Sequence, residues 1–181
     1  MGIFDRFKKE KEPEYDVTNL SVHDFKKGFV FEYNLKSWIV KEEYQYDWGD
    51  NFFTYEFKID SGDELLYLHF EDDDELEISI SSKIKIRAID EDLPEHIIKF
   101  QEAPKKINYQ GETYLLDGES PGFFHNNDHG EDAWDELISW NYFNEAEDKV
   151  ITIEQWGDKE FEASCGLVVK EYEISNILPH S

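Results

Sequence analysis

Residues 55–81 read YEFKIDSGDELLYLHFEDDDELEISIS, and residues 140–166 read WNYFNEAEDKVITIEQWGDKEFEASCG. The two segments lie over one another without a gap. Leu65, Leu66 and Leu68 fall on Val150, Ile151 and Ile153; Leu76 falls on Phe161, Glu77 on Glu162 and Ser79 on Ser164. Apolar and polar residues alternate within each segment, the period of strands with two unlike faces. The shared offset of 85 also places Ile89 on Ile174 and Leu93-Pro94 on Leu178-Pro179. Upstream, FEYNLKSWIV from Phe31 matches INYQGETYLL from Ile107 at an offset of 76, with Tyr33 on Tyr109 and Trp38 on Tyr114. The second half thus carries about nine extra residues between its matched blocks.

The fold class that follows is all-β with one short linking helix: two internally duplicated antiparallel β-meander halves packed as one unit. Each half is expected to hold about five strands. Residues 1–19 are expected to form a mobile N-terminal segment, 20–103 the first repeat with its C-terminal helix, and 104–181 the second repeat with an inserted loop at 116–137. The helix is expected in DLPEHIIKFQEAP, where Leu93, Ile97, Ile98 and Phe100 supply apolar positions. Asp92 is its N-cap, Pro94 sits in its first turn and Pro104 marks its end.

The composition fits a folded chain. Charged residues make up 34% and aromatics 16%, and disordered chains are poor in aromatics. Forty-three acids against 18 bases give a net charge of −25. Such a surface repels nucleic-acid phosphates and anionic lipids, and attracts cations, polyamines or a basic protein. Nucleic acid is therefore not an expected partner. Cys165 is the single cysteine, which excludes an intramolecular disulfide and points to a structural thiol. No signal peptide or membrane-length apolar run is visible, so a cytoplasmic location is expected. Membrane contact is expected only through the N-terminal segment, if Ile3, Phe4 and Phe7 line one face of a short helix.

The acidic run at Asp72, Asp73 and Asp74 aligns with QWGDKEF of the second half and reads as a hairpin turn, with an interaction role for its tip. It lacks the glycine and flanking helices of an EF-hand. Residues 116–137 hold His125, Asp128, His129, Glu131 and Asp132 beside Phe123, Phe124 and Trp134. Imidazoles and carboxylates together can ligate a transition metal, so His125, Asp128 and His129 are candidate ligands, and Phe124 and Trp134 candidate binding residues. His69, in a strand and aligned with Glu154, is expected to face solvent. The hairpin YQYDWGDNFFTYEF places Tyr44, Tyr46 and Trp48 on one face and Phe53, Tyr55 and Phe57 on one face of the next strand. One row is expected to be core and the other an aromatic platform suited to sugars, amines or a protein. No phosphate loop, nucleophile elbow or zinc-protease motif is present in the sequence.

Gly28, Val30, Tyr33, Trp38, Val40, Tyr46, Trp48, Tyr67 and Leu68, within the stretch Leu20 to Ile84, give a pattern that resembles an uncharacterised bacterial domain-of-unknown-function family of small acidic β-rich proteins. The resemblance implies non-catalytic β-domains encoded near polyamine-synthesis enzymes, small membrane proteins and phage-shock-protein-A-like envelope-stress proteins. It implies no catalytic residue. A glycine common in that family between the opening Tyr and Trp is replaced here by Asn34-Leu35-Lys36-Ser37, whereas Gly111 keeps it in the second half.

The function expected from the sequence is a non-catalytic acidic adaptor that engages a basic or membrane-associated protein, in envelope stress, without a cofactor. Two alternatives stand beside it. One is an acidic immunity or anti-restriction protein that imitates DNA. The other is a cation, polyamine or metal sensor using the aromatic hairpin or the 116–137 segment.

Overall fold

The computed structural model describes residues 19–130 and 133–179. The expected N-terminal helix, Glu131 and Asp132 lie outside the described residues. Eleven strands among the described residues form one antiparallel sheet, and one α-helix accompanies them. The first meander is β1 (Val30–Tyr33), β2 (Lys36–Asp47), β3 (Phe53–Asp60), β4 (Leu65–Asp72) and β5 (Leu76–Ile84). Helix α1 (Leu93–Phe100) links it to β6 (Lys106–Tyr109), β7 (Glu112–Asn126), β8 (Trp134–Asn144), β9 (Lys149–Trp156) and β10 (Glu160–Val169); β11 (Ser175–Leu178) follows.

The strand order is β11-β1-β2-β3-β4-β5-β10-β9-β8-β7-β6, and β2 also pairs with β7. That extra pairing closes eight strands, β2 to β5 and β7 to β10, into a ring. Two seams join the meanders. At one, β5 and β10 pair from Ile84↔Ala163 to Ile78↔Val169. At the other, Tyr44 to Asp47 of β2 pair with Asn126 to Phe123 of β7. One seam holds a glycine, and another glycine lies just beyond the end of the second, each with no room for a side chain. A Cβ on Gly166 would stand 2.4 Å from the Ile80 carbonyl oxygen, and one on Gly122 would stand 2.7 Å from that of Asp47. Backbones can approach this closely only where the side chain is absent.

Alternation along the strands builds two separate apolar clusters. Phe31, Trp38, Val40, Phe57, Ile59, Leu68, Phe70, Ile78 and Ile80 form the first, together with Val22, Phe25 and Val169. Tyr114, Trp140, Tyr142, Ile151, Ile153 and Ala163 form the second, covered by Leu93 and Ile97 of α1 and Ile107 of β6. Polar atoms drawn into these clusters are satisfied. The Trp38 indole donates to the Tyr33 carbonyl at 3.1 Å, and the Tyr142 hydroxyl donates to the Pro104 carbonyl at 2.9 Å. Asp92 precedes α1 and Pro94 lies in its first turn, as expected, but the Asp92 side chain makes no capping hydrogen bond. The helix stops at Gln101, which turns left-handed with φ 54°.

The segment 116–137 is not a loop. It is most of a long hairpin in which β7 ends at Asn126 and β8 begins at Trp134. Gly118, Pro121 and Gly122 read as breakers in the sequence, yet they pair in register with Asn141, Ile138 and Leu137. From Leu116 to Gly122, β7 pairs with β8 alone, between its pairing with β6 and its pairing with β2. A strand with one free edge tolerates proline. The acidic run is a hairpin turn, as expected: β4 ends at Asp72 and β5 begins at Leu76.

Candidate functional site

The face of the ring strands that does not pack on either apolar cluster points into the ring. All eight ring strands line a cavity of ≈ 550 Å³ there. A wider cavity of ≈ 1150 Å³ adjoins it, and the two share Tyr46, Glu56, Lys83 and Glu154. These four side chains therefore form a septum across the lumen. The smaller cavity is lined by short polar residues, among them Ser79, Ser81, Ser139, Asn141, Thr152 and Ser164, with Glu71, Glu77 and Asp117. The wider one is lined by Tyr44, Phe124, Trp134 and Trp156, with Asp135, Glu136, Glu160 and Glu162. Both volumes are of the size that holds a small molecule.

Two bulges deliver the aromatic residues to this lumen. In β2 the register slips between Val40 and Glu42. Trp38 and Val40 face the first cluster, but after the slip the same parity, Tyr44 and Tyr46, turns to the lumen. In β7 the register slips between Leu116 and Gly118. Tyr114 packs in the second cluster, and beyond the slip Phe124 faces the lumen. One extra residue in a strand reverses every side chain beyond it.

Tyr46 is the centre of the site. It is 3% exposed. Its ring stacks on Trp48 at 5.4 Å with an interplanar angle of 7°, and meets His69 at 5.7 Å and Phe124 at 5.3 Å edge-on. Its hydroxyl donates to Glu56 Oε1 at 3.4 Å and interacts with the Glu154 carboxylate. The Trp48 indole donates to Thr54 Oγ1 at 3.0 Å, which fixes the stacked ring. Lys83 Nζ lies 2.8 Å from Glu162, 3.8 Å from Glu154 and 5.0 Å from the centre of the Tyr67 ring. Trp156 meets Phe124 edge-on at 5.2 Å, and its buried indole nitrogen has no hydrogen-bond partner among the described residues.

The electrostatics follow from enclosure. Burial pushes the Glu56 carboxyl up to about 8, with Lys83 opposing and Glu154 adding to the rise. Burial also raises Glu154, again against Lys83, while Glu162 adds to the rise. Burial drives the Tyr46 hydroxyl well above its usual range and lowers His69 to about 4, leaving a neutral imidazole at pH 7. For Lys83 burial works downward, but Glu154 and Glu56 outweigh it and the ammonium is held charged. The septum thus sets two carboxyls and a phenol against one ammonium. Carboxyls crowded in an enclosed site gain most from a cation placed beside them.

The sequence-derived candidates divide. Tyr44, Tyr46, Trp48 and Phe124 converge on the lumen, and Trp134 lines its wider part. Tyr44 donates to Glu42 at 2.9 Å and its ring lies 5.3 Å from Phe124. Of the other row, Phe57 is core and Tyr55 is exposed. Asp72, Asp73 and Asp74 do not line either cavity; Asp72 lies 3.7 Å from His23, and Asp73 and Asp74 are exposed. His125 is buried, its Nδ1 2.9 Å from the Ala133 carbonyl oxygen and its ring stacked on Trp134 at 4.9 Å. Asp128 is ion-paired with Lys27 at 2.6 Å. The backbone N–H of His129 donates to the Asn126 carbonyl at 2.8 Å. Among the described residues no group of three or more His, Cys, Asp and Glu side chains is placed to hold a metal.

Glu56, His69, Lys83 and Glu154 line the lumen and were not singled out as site candidates by the sequence. His69 does not face solvent. Leu68 and Phe70 fill the first apolar cluster, so His69 takes the opposite face, and that face is enclosed. The available signal was the short hydroxyl residues Ser79, Ser81, Ser139, Thr152 and Ser164 spread over β5, β8, β9 and β10, where a solvated face carries longer charged chains.

Residues 26–171 match a family described as Domain of unknown function (DUF4178). A protein of Aquifex aeolicus (strain VF5), described as uncharacterized, is 27% identical over 184 residues, covering 99% of each chain. No solved structure matches the chain. The match to the family spans most of the chain, which therefore belongs to the DUF4178 family.

Proposed function

We propose that this DUF4178 chain is a binding protein for a small organic cation, an amine or polyamine, held in the lumen of its strand ring without turnover. The observation that carries the reading is the septum. Glu56 and Glu154 are enclosed together beside the Tyr46 hydroxyl, and Lys83 is the one cation among the four shared residues. An ammonium placed there would favour the ionised form of both carboxyls and pair with it, and in the wider cavity it would meet the faces of aromatic rings, the two contacts that hold organic cations in an enclosed site. Acids at three levels support a ligand with more than one charge: Glu160 and Glu136 in the wider cavity, Glu56 and Glu154 at the septum, and Glu71 and Glu77 in the smaller cavity.

The same proposal places the protein in the cytoplasm, encoded near polyamine-synthesis genes, and takes its two meanders as copies of one unit. Supporting the last point, the bulged residues Lys41 and Asp117 lie at the offset of 76 that aligns Phe31 with Ile107. The adaptor reading, for a basic or membrane-associated protein, is supported by the net charge of −25. The lumen supports cation binding through a specific set of enclosed groups.

The test is thermal unfolding with increasing spermidine at physiological salt. A ligand at a hundredfold excess over its Kd adds about 2.7 kcal/mol of stability. A saturable rise in Tm, lost in a Glu56→Gln/Glu154→Gln variant, is the expected result. No rise, or a rise that survives both substitutions, refutes lumen binding.

A further inference from the structure

The septum already holds an ammonium, that of Lys83. Its Nζ sits 2.8 Å from Glu162, 3.8 Å from Glu154 and 5.0 Å from the centre of the Tyr67 ring. Two carboxylates and one aromatic ring are the contacts an amine ligand would seek. The group comes from β5, whose register places Lys83 opposite Ser164 of β10.

We propose that Lys83 is a built-in competitor: in the free protein its ammonium fills the position that a ligand's ammonium takes, and the ligand binds by displacing it. The inference rests on the reading of the lumen as a cation site and assigns the residue that sets its affinity and selectivity. Lys83 lines both cavities and its side chain keeps 37% of its surface exposed, so it has somewhere to go. A lysine stem has four flexible methylenes and its ammonium is a point charge, which suits a group that must move aside.

The consequence is discrimination. A tethered ammonium acts at an effective concentration on the order of millimolar. A simple cation gains only the contacts Lys83 gives up, and it must outcompete a partner that never diffuses away. A longer ligand with several amines also gains contacts at the other acidic levels of the lumen, and these offset the displacement. Lys83 thus favours extended polycations over abundant small ions.

The test is calorimetric titration of spermidine into the full-length protein and its Lys83→Met, Lys83→Arg and Glu154→Gln variants, at one pH and salt concentration. With the competing charge gone, Lys83→Met is expected to bind about tenfold tighter than the unsubstituted protein. Lys83→Arg, which keeps the charge, is expected to stay close to it, and Glu154→Gln to bind more weakly. Equal affinity for Lys83→Met and the unsubstituted protein overturns the role of Lys83 and leaves cation binding standing. Weaker binding by Lys83→Met also overturns it, because the lysine would then support the ligand. Absence of binding by every protein, each shown folded by circular dichroism, removes the cation site and this inference together. A second readout needs no substitution. The Tyr67 ring, 5.0 Å from Nζ, is expected to shift the Lys83 side-chain NMR signals in the free protein, and these are expected to move toward their free positions as spermidine saturates it. Their staying in place at saturation refutes displacement.

Discussion

Gly122 lies flat against Trp48: a Cβ on Gly122 would stand 2.5 Å from Cε3 of the indole. The contact joins β7 to the turn after β2, at the seam that closes the ring, and it holds the indole whose face stacks on Tyr46. Closure of the ring and orientation of the central tyrosine therefore depend on the same missing side chain. Gly122→Ala is expected to force Trp48 or the Asp47 backbone aside and to destabilise the fold by about 1–3 kcal/mol. Chemical denaturation checks the magnitude. A greater acceleration of amide exchange at Tyr44 and Tyr46 than at β5 and β10, each relative to the unsubstituted protein, would place the damage at this seam.

Leu35 is the residue of the β1–β2 turn whose replacement is expected to stabilise the protein. The turn is the pair Asn34-Leu35, left-handed at both positions with φ 50° and 61°. The matching turn between β6 and β7 uses Gln110 and Gly111, at φ 50° and 82°. A leucine in this conformation carries a steric cost that glycine does not. Leu35 is fully exposed, so glycine would lose no packing. Leu35→Gly is expected to add about 1 kcal/mol, read as a higher denaturation midpoint with an unchanged slope.

Glu56 and His69 predict opposite pH dependences of stability. Glu56 titrates at about 8 in the fold against an ordinary value of 4.5. Between those values the unfolded chain has lost the proton and the folded chain keeps it, so stability falls as pH rises through that window. His69 titrates at about 4 in the fold against 6.5. Its contribution falls as pH drops from 6.5 toward 4, because the unfolded chain then binds a proton that the folded one refuses. Glu56→Gln is expected to raise Tm at pH 8 and leave it nearly unchanged at pH 4. His69→Gln is expected to do the reverse, raising Tm near pH 4.5 and not at pH 8. Thermal melts across pH for the two variants check both limbs.

His125 acts as a clamp on the β7–β8 hairpin, tying the end of β7 to the start of β8 through its bond to Ala133 and its stacking on Trp134. His125→Ala is expected to lower stability by about 1–2 kcal/mol. Chelator treatment is expected to leave Tm unchanged in both proteins. A drop on chelation that His125→Ala abolishes would instead identify a metal ligand.

The strands and their hairpins were legible because alternation is a local property. Residues 55–81 and 140–166 show it directly, and the acidic run is the turn its aspartates imply. The direction of the polar face was not legible. Alternation separates Leu68 from His69, but it does not say whether the second face meets water or another strand. That depends on the β2–β7 pairing, between residues far apart in sequence. The bulges were hidden as well. Trp38, Val40, Tyr44 and Tyr46 share one parity in the sequence, and only the register slip sends the last two to the lumen. Tyr46 and Trp48 could be singled out for their aromatic character. Glu56 and Glu154 could not be told from the other acids of so acidic a chain, because enclosure is what distinguishes them. The β7–β8 hairpin was misread because Pro121 and Gly122 usually interrupt strands, and here both have structural reasons to be in one.

The two seams are unequal. Four residue pairs join β2 to β7, whereas seven join β5 to β10. Each apolar cluster belongs mainly to one meander, so parting the shorter ladder disrupts neither cluster. The molecule is thus hinged along β5–β10 and latched along β2–β7. Fluctuations that admit water or solute into the lumen follow the latch, at a free energy below that of global unfolding. Tyr44 and Tyr46, which line the cavity, stand on the latch itself, so the proposed ligand and the closure of the ring would act through the same two residues.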